Sequence, residues 1–391
     1  MTSLEEVAQI SGGGTPSRAV PQYFGGGICW ATPTDVTALE GLYIQRTKET
    51  LTEEGLNRSS AKLLPPGAVL LTSRATIGYT AVTRVPICTN QGFVNFVCGP
   101  TLEPEYLAYW LRARKPLLER LANGATFKEI SRGTVRKLAI NLPDRGEQLR
   151  IVELLSRAEN IVRMRREAET RTKEIIPALF LDMFGDPASN PKGWEVRRLG
   201  EIVDRFQGGK NVQAGASGDS EFRILKISAV TSGKYDESES KPAPGGFSPP
   251  PHYFVRQGDI LFSRANTEEL VGATAMVVST DGRSLLPDKL WRLVWRPDAR
   301  VRPPYMLALL QNLSTRKALS NIASGTGGSM KNISQAKLSK LRLPIAPMDT
   351  QIVFERNAAS ANSLFGGTQR AGAVADQAFQ SLLAGVFGEE Q

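Results

Sequence analysis

The run nearest to a phosphate-binding loop is Gly325-Thr326-Gly327-Gly328-Ser329-Met330-Lys331. Its glycines would let backbone N–H groups approach phosphate oxygens, with Lys331 supplying charge. It lacks the Gly-Lys-Ser/Thr ending of a nucleotide loop, and no clear phosphate-binding helix follows, so only a simpler phosphate contact stays open. Pro287-Asp288-Lys289 resembles a fragment of a nuclease carboxylate motif. A metal nuclease needs several carboxylates around its cation, and none cluster nearby, so the run reads as a charged turn. No Asn-Pro-Pro-aromatic run, Gly-x-Ser-x-Gly elbow or Cys/His pairing is present. Cys29, Cys88 and Cys98 are scattered and odd in number, which gives neither a disulfide framework nor a metal knuckle. His252 is the only histidine and sits in a Pro-rich loop. The expectation is no catalytic residue, no metal site and no cofactor in this chain.

What must be positioned is therefore a binding surface. The chain has 391 residues, enough for two ordinary cores, with 41% hydrophobic and 22% charged residues. The 48 Lys and Arg outnumber the 39 Asp and Glu, and the resulting +9 favours an anionic partner. No apolar run reaches bilayer-spanning length and Met1 to Gln9 is not a signal peptide, which predicts a cytoplasmic protein.

The chain repeats itself. Phe127-Lys128-Glu129-Ile130-Ser131 returns as Met330-Lys331-Asn332-Ile333-Ser334, 203 residues later. The same separation pairs Gln148 with Gln351, Ile151 with Phe354, Phe180 with Leu383 and Phe184-Gly185 with Phe387-Gly388. Upstream, Leu4 to Gly14 resembles Leu199 to Gly209. Gly67 to Ala75 resembles Gly258 to Ala265 with one residue inserted, which aligns Ser73-Arg74 with Ser263-Arg264. Asn123 to Lys128 takes the place of the second glycine-rich loop.

Residues 1–146 and 192–349 carry short β-type runs broken by Gly and Pro: Val69–Thr72, Phe93–Val97, Ala275–Val278 and Leu290–Trp295. Pro104–Glu119 and Pro304–Gln311 read as helices. Two long helices follow at 147–191 and 350–391. Gln148 to Met183 bears a stripe at alternating four and three spacing that includes Ile151, Leu155, Val162, Arg165, Ile176 and Leu179. Its counterpart includes Phe354, Phe365, Phe379 and Leu382. Pro177 interrupts the end of the first helix, and Gly366, Gly367 and Gly372 weaken or kink the second. The fold class expected is α+β, with two repeated α/β-mixed domains separated by long helices that form an antiparallel, coiled-coil-like pair. A fully helical Gln148–Met183 would extend about 54 Å, against about 34–36 Å for one DNA turn.

Gly13-Gly14-Thr15-Pro16-Ser17 with Tyr23, Trp30 and Asp35, then Thr89-Asn90-Gln91-Gly92-Phe93, then Leu142-Pro143 and Glu147-Gln148-Leu149-Arg150-Ile151-Val152 stand in an order that resembles the specificity subunit of type I restriction-modification systems. The resemblance covers essentially the whole chain. The second half departs from it: Gly208-Gly209 lacks Thr-Pro-Ser, Glu147-Gln148 becomes Thr350-Gln351, and the last helix has fewer charges. The resemblance implies two target-recognition domains, each reading half of a bipartite DNA site, with helices fixing the gap. It implies two modification subunits that hold S-adenosylmethionine and methylate adenine, and restriction subunits using ATP and magnesium. A non-catalytic scaffold that never reads DNA and a stand-alone methyltransferase or nuclease are the alternatives.

For DNA contact, cations neutralise phosphates, while Arg, Asn and Gln can read base edges. The candidates are Arg18, Tyr23, Arg74 and Lys128 in the first domain, and Lys226, Arg264, Asn266 and Lys331 in the second. Arg74 and Arg264 are expected at matching places, as are Lys128 and Lys331. Trp30 and Trp291 suit buried core, and Asn90-Gln91 suits either adenine reading or a turn.

Overall fold

The computed structural model describes residues 1–124, 128–212, 220–325 and 330–388. It divides into two compact units, Met1–Glu169 with Thr368–Gln391, and Thr170–Gly367. Each long helix thus contributes residues to both units.

The first unit is built on β1 (Ala8–Gly12), β2 (Phe24–Ala31), β3 (Tyr43–Ile44), β4 (Glu49–Leu51), β5 (Val69–Thr72), β6 (Thr80–Thr83), β7 (Ile87–Thr89) and β8 (Phe93–Cys98). A five-stranded sheet has the order β1-β8-β5-β6-β3, and a smaller sheet the order β4-β2-β7. Val69 and Leu71 join Val94 and Phe96 in a core with the helices. Leu70 and Phe93 turn the other way, onto Ala31, Ile44 and Ile87. A sheet covered on both faces explains why Val69-Leu70-Leu71 reads as an unbroken apolar run.

Helix α1 (Pro104–Ala113) covers one face with Tyr106, Leu107 and Trp110. The sequence suggested one helix to Glu119, but the chain breaks at Arg114 and restarts as Lys115–Leu121. Pro116 has no N–H to continue the ladder and favours the first turn of a new helix. The long helix α2 (Arg145–Phe184) then begins. Its Ile151, Leu155 and Val162 enter this core beside Phe379, Leu383 and Phe387 from the second long helix. Arg166 pairs with Asp376 at 2.7 Å, and Gln369 donates to Glu169 at 3.5 Å. As one residue number rises the other falls, so the two segments run antiparallel.

The second unit repeats the plan with β9 (Val203–Gly208), β10 (Arg223–Leu225), β11 (Ser240–Pro242), β12 (Ile260–Ser263), β13 (Thr274–Met276), β14 (Ser284–Leu285) and β15 (Leu290–Trp295). The sheets have orders β9-β15-β12-β13 and β11-β10-β14. The strand predicted over Ala275–Val278 ends at Met276; Val277 donates to Asp259 O at 2.9 Å and accepts from Gly258 N at 2.8 Å just beyond it, and Val278 is exposed. Helix α3 (Pro303–Gln311) matches α1, and α4 (Met348–Phe387) closes the chain. Phe180 and Phe184 of α2 pack on Tyr305 and on Phe354 of α4, and Lys173 faces the Phe365 ring, so here too α2 and α4 run antiparallel.

Three expectations about the helices need correction. Pro177 lies inside α2, which continues to Phe184, because Phe180 and Phe184 beyond it are buried in the second unit's core. Gly366, Gly367 and Gly372 do not interrupt α4: apolar burial at both ends of a helix outweighs local propensity. Arg165 is exposed, not in the seam, since burying an unpaired guanidinium is costly; the buried positions flanking it are Val162 and Thr172. Ile151, Leu155, Val162, Phe354 and Phe379 are buried, Ile176, Leu179 and Leu382 pack on the cores, and Phe365 is half-exposed under the Lys234 ammonium at 3.5 Å.

The repeated glutamines tie each helix to its sheet. Gln148 is fully buried, accepts from Glu103 N at 2.9 Å and donates to the carbonyls of Thr101 and Pro143 at 2.9 Å each. Gln351 accepts from Arg302 N at 2.7 Å and donates to Ala346 O at 2.7 Å and Arg300 O at 3.3 Å. Truncation strands buried backbone groups, so Gln148→Ala and Gln351→Ala should each lose about 1–3 kcal/mol of unfolding free energy in urea. Phe387→Ala removes an aromatic that meets Tyr106 at 5.3 Å between ring centroids. We expect a loss of about 3–5 kcal/mol, with amide exchange rising in α1 of the first unit and not in α3, which is nearer in sequence.

Candidate nucleic-acid interface

The register of each main sheet brings distant loops to one edge. In the first unit Gly12 pairs with Val94, Thr72 with Phe93 and Leu71 with Thr80. The loops following β1 and β5, and those preceding β6 and β8, therefore share an edge. Gly14 N donates to Thr89 O at 2.9 Å, Ser73 N to Gly92 O at 2.8 Å and Ile130 N to Ser73 O at 3.0 Å. Thr15 also donates to Gln91. The second unit forms the same edge through Gly208 with Trp291, Ser263 with Leu290 and Phe262 with Thr274. A Cβ on Gly13 would fall 2.0 Å from the Asn90 carbonyl oxygen, and one on Gly209 would fall 1.7 Å from that of Leu286. The glycine blocks are needed for this close approach of two loops.

Arg18 leaves β1's loop and meets both carboxylate oxygens of Glu49 at 2.6 and 2.7 Å, above the rings of Phe24 and Trp30. Tyr23 is half-buried in a turn whose carbonyl accepts from Thr52 N at 3.0 Å. Arg74 Nε lies 2.8 Å from Glu129. Lys128 is exposed beside Glu129, and residues 125–127 of its loop lie outside the described residues. In the second unit Lys226 follows β10 and lies 3.7 Å from Glu239. Arg264 is bound by Asp288 and Asn332. Asn266 pairs with Lys331 across a two-residue ladder, and Lys331 lies 3.7 Å from Glu268. Thr326 to Ser329 of the glycine-rich run lie outside the described residues. Most of the candidate cations face a carboxylate that sequence spacing did not reveal.

One predicted equivalence fails. Gly78 N donates to Thr72 O, and Gly272 N to Ser263 O. Ile130 N then reaches Ser73 O, whereas Ile333 N reaches Arg264 O at 2.8 Å. Arg264 therefore occupies the place of Ser73, and Ala265, opposite Asn332, the place of Arg74, opposite Glu129. No residue is inserted here; matching the Ser-Arg letters had shifted the alignment by one.

Trp30 is buried and donates through Nε1 to Gly14 O at 3.0 Å, and Trp291 is buried beneath Arg264. Asn90 accepts from Gly92 N at 2.9 Å, which makes it a turn residue. Asp288 serves as the partner of Arg264. Among the described residues no group of three or more His, Cys, Asp or Glu is placed to hold a metal. Burial pushes the Cys88 thiol up to about 11 and Cys98 up to about 12, far from nucleophilic use. No helix among the described residues is long and apolar enough to cross a membrane.

Comparison with known proteins finds a family model that matches the part of the chain bearing the first edge. Residues 1–171 match the model of the type I restriction modification DNA specificity domain. A stretch of 225 residues is 33% identical to the type I restriction enzyme MjaIX specificity subunit of Methanocaldococcus jannaschii, covering 53% of this chain and 52% of that protein. Another of 204 residues is 30% identical to the EcoEI specificity subunit of Escherichia coli, covering 51% of this chain and 34% of that one. The chain spans about half or less of the length of these curated relatives. The fold extends further. A chain from the structure reported for complex assembly and conformational transition of the type I R-M system matches over 99% of this chain and 96% of its own, with TM-score 0.63 and 20% identity. The S subunit from M. genitalium matches over 100% and 96%, with TM-score 0.55 and 12% identity.

In the first unit, the Arg18 guanidinium holds the Glu49 carboxyl below its usual range. A depressed carboxyl adds stability above its unfolded pKa and loses it as pH falls through the folded one. The pair is largely exposed, so its contribution is small. Arg18→Ala should move the Glu49 titration, followed by carboxyl-carbon NMR, back up toward the ordinary value.

Proposed function

We propose that the chain reads a bipartite DNA site as the specificity subunit of a type I restriction-modification complex, directing adenine methylation and cleavage by partner subunits. The supporting observation is one loop edge constructed twice, on the same hydrogen-bonded frame, with different side chains at its tips. A shared frame with divergent tips suits two unlike half-sites. The cations sit in exposed ion pairs, which can exchange a carboxylate for a phosphate at little cost.

In this reading the chain supplies the address and no catalytic group or cofactor. Two modification subunits bring S-adenosylmethionine, and restriction subunits bring ATP and magnesium. Exposed Leu154, Ile161 and Met164 on α2, and Leu364 and Val374 on α4, offer apolar surface for such partners.

The test is co-purification with the adjacent methyltransferase followed by selection of bound DNA. A gapped, two-part consensus is expected, with affinity falling linearly on a log scale as salt rises. Exchanging residues 1–146 for those of a relative should alter one half-site alone. A continuous consensus, or a change in both halves, contradicts the reading.

A further inference from the structure

Three of the arginines at the two edges have guanidinium groups that are occupied differently. Arg18 has both terminal nitrogens closed on Glu49, at 2.6 and 2.7 Å. Arg264 has all three engaged: Nε donates to Asp288 O at 2.7 Å, Nη1 to Asn332 Oδ1 at 3.0 Å and Nη2 to Asp288 Oδ2 at 3.1 Å. Its side chain is 23% exposed and lies over Trp291. Arg74 has its Nε 2.8 Å from Glu129 in an ion pair without a hydrogen bond, and is 46% exposed. Its Nη1 and Nη2 make no hydrogen bond among the described residues.

Guanine is recognised when two parallel N–H groups of an arginine meet O6 and N7. A guanidinium drawn to a carboxylate on its Nε side can turn its terminal nitrogens outward as that fork. The backbone supports the presentation: Ala75 adopts φ +59°, and Thr76 N donates to Arg74 O at 2.6 Å, forming a tight bend at the loop tip. The structural counterpart of Arg74 is Ala265, so the second unit has no such fork at this place.

We propose that Arg74 is a specificity-determining residue that reads a guanine in the half-site of the first unit, with Glu129 as its positioning residue. Arg264, with all three nitrogens engaged by Asp288 and Asn332, is a structural clamp and touches no base. This rests on the DNA-reading function proposed above.

The experiment is selection of bound DNA by complexes of the full chain with its methyltransferase partner. Arg74→Ala should reduce the preference for guanine at one position of one half-site by about ten- to a hundredfold. The other half-site and the urea midpoint should stay unchanged. Glu129→Ala should weaken the same position, and Glu129→Asp, which keeps the charge facing Arg74, should restore part of it. Arg264→Ala, or the milder Arg264→Lys, should lower the unfolding midpoint and leave the consensus intact. Uniform loss of affinity in Arg74→Ala with a flatter salt dependence would mark a phosphate contact and overturn the assignment. So would loss of one base preference in an Arg264 variant of unchanged stability. A wild-type consensus that Arg74→Ala leaves intact sinks this inference alone; a wild-type complex that selects no sequence sinks the underlying function with it.

Discussion

Burial of the helix ends is the interaction on which each unit depends. A sheet with apolar residues on both faces needs two covers. The small sheet provides one, and a single ten-residue helix is too short to provide the other. In the first unit Phe379, Leu383 and Phe387 complete that cover; in the second, Phe180 and Phe184 do. The residues that finish each core therefore come from the far end of the helix that began in the other. A glutamine at each helix start fixes the first turn, and aromatic packing fixes the last. Between them the helices can tolerate Pro177 and three glycines, because the ends carry the stabilising contacts.

This arrangement separates what must be constant from what can vary. The frame consists of backbone hydrogen bonds, a buried amide and apolar packing, and it recurs in both halves even where side chains change. Beyond Thr72 and Ser263 the exposed side chains of the loop tips stand outside the sheets. They can exchange Ser73-Arg74-Ala75 for Arg264-Ala265-Asn266 without disturbing the sheet. A binding surface can thus diverge residue by residue while the fold stays the same.

Much of this was legible in the sequence, for identifiable reasons. The constant separation of 203 residues was visible because the helix and the short segment before it tolerate no insertion. The strands at Val69 and Leu290 were visible because both faces are buried. Pro177 misled because local propensity carries no information about Phe180 and Phe184 being buried beyond it. The arginine alignment misled because Ser-Arg recurs by letter, while register is set by backbone pairing to Gly78 and Gly272. The carboxylates facing Arg18, Arg74 and Arg264 were invisible: Glu49, Glu129 and Asp288 are brought near by the sheet edge, at separations that no local pattern encodes.

Those carboxylates also bear on how a reading surface keeps its precision. A free arginine samples many rotamers, and ordering it on contact opposes binding. A carboxylate at Nε removes much of that freedom beforehand and leaves the terminal nitrogens available. A carboxylate across both terminal nitrogens, as Glu49 lies on Arg18, orders the side chain equally well but consumes its fork. The geometry of pairing, more than the presence of charge, therefore decides whether an arginine can discriminate bases or only support the loops that do.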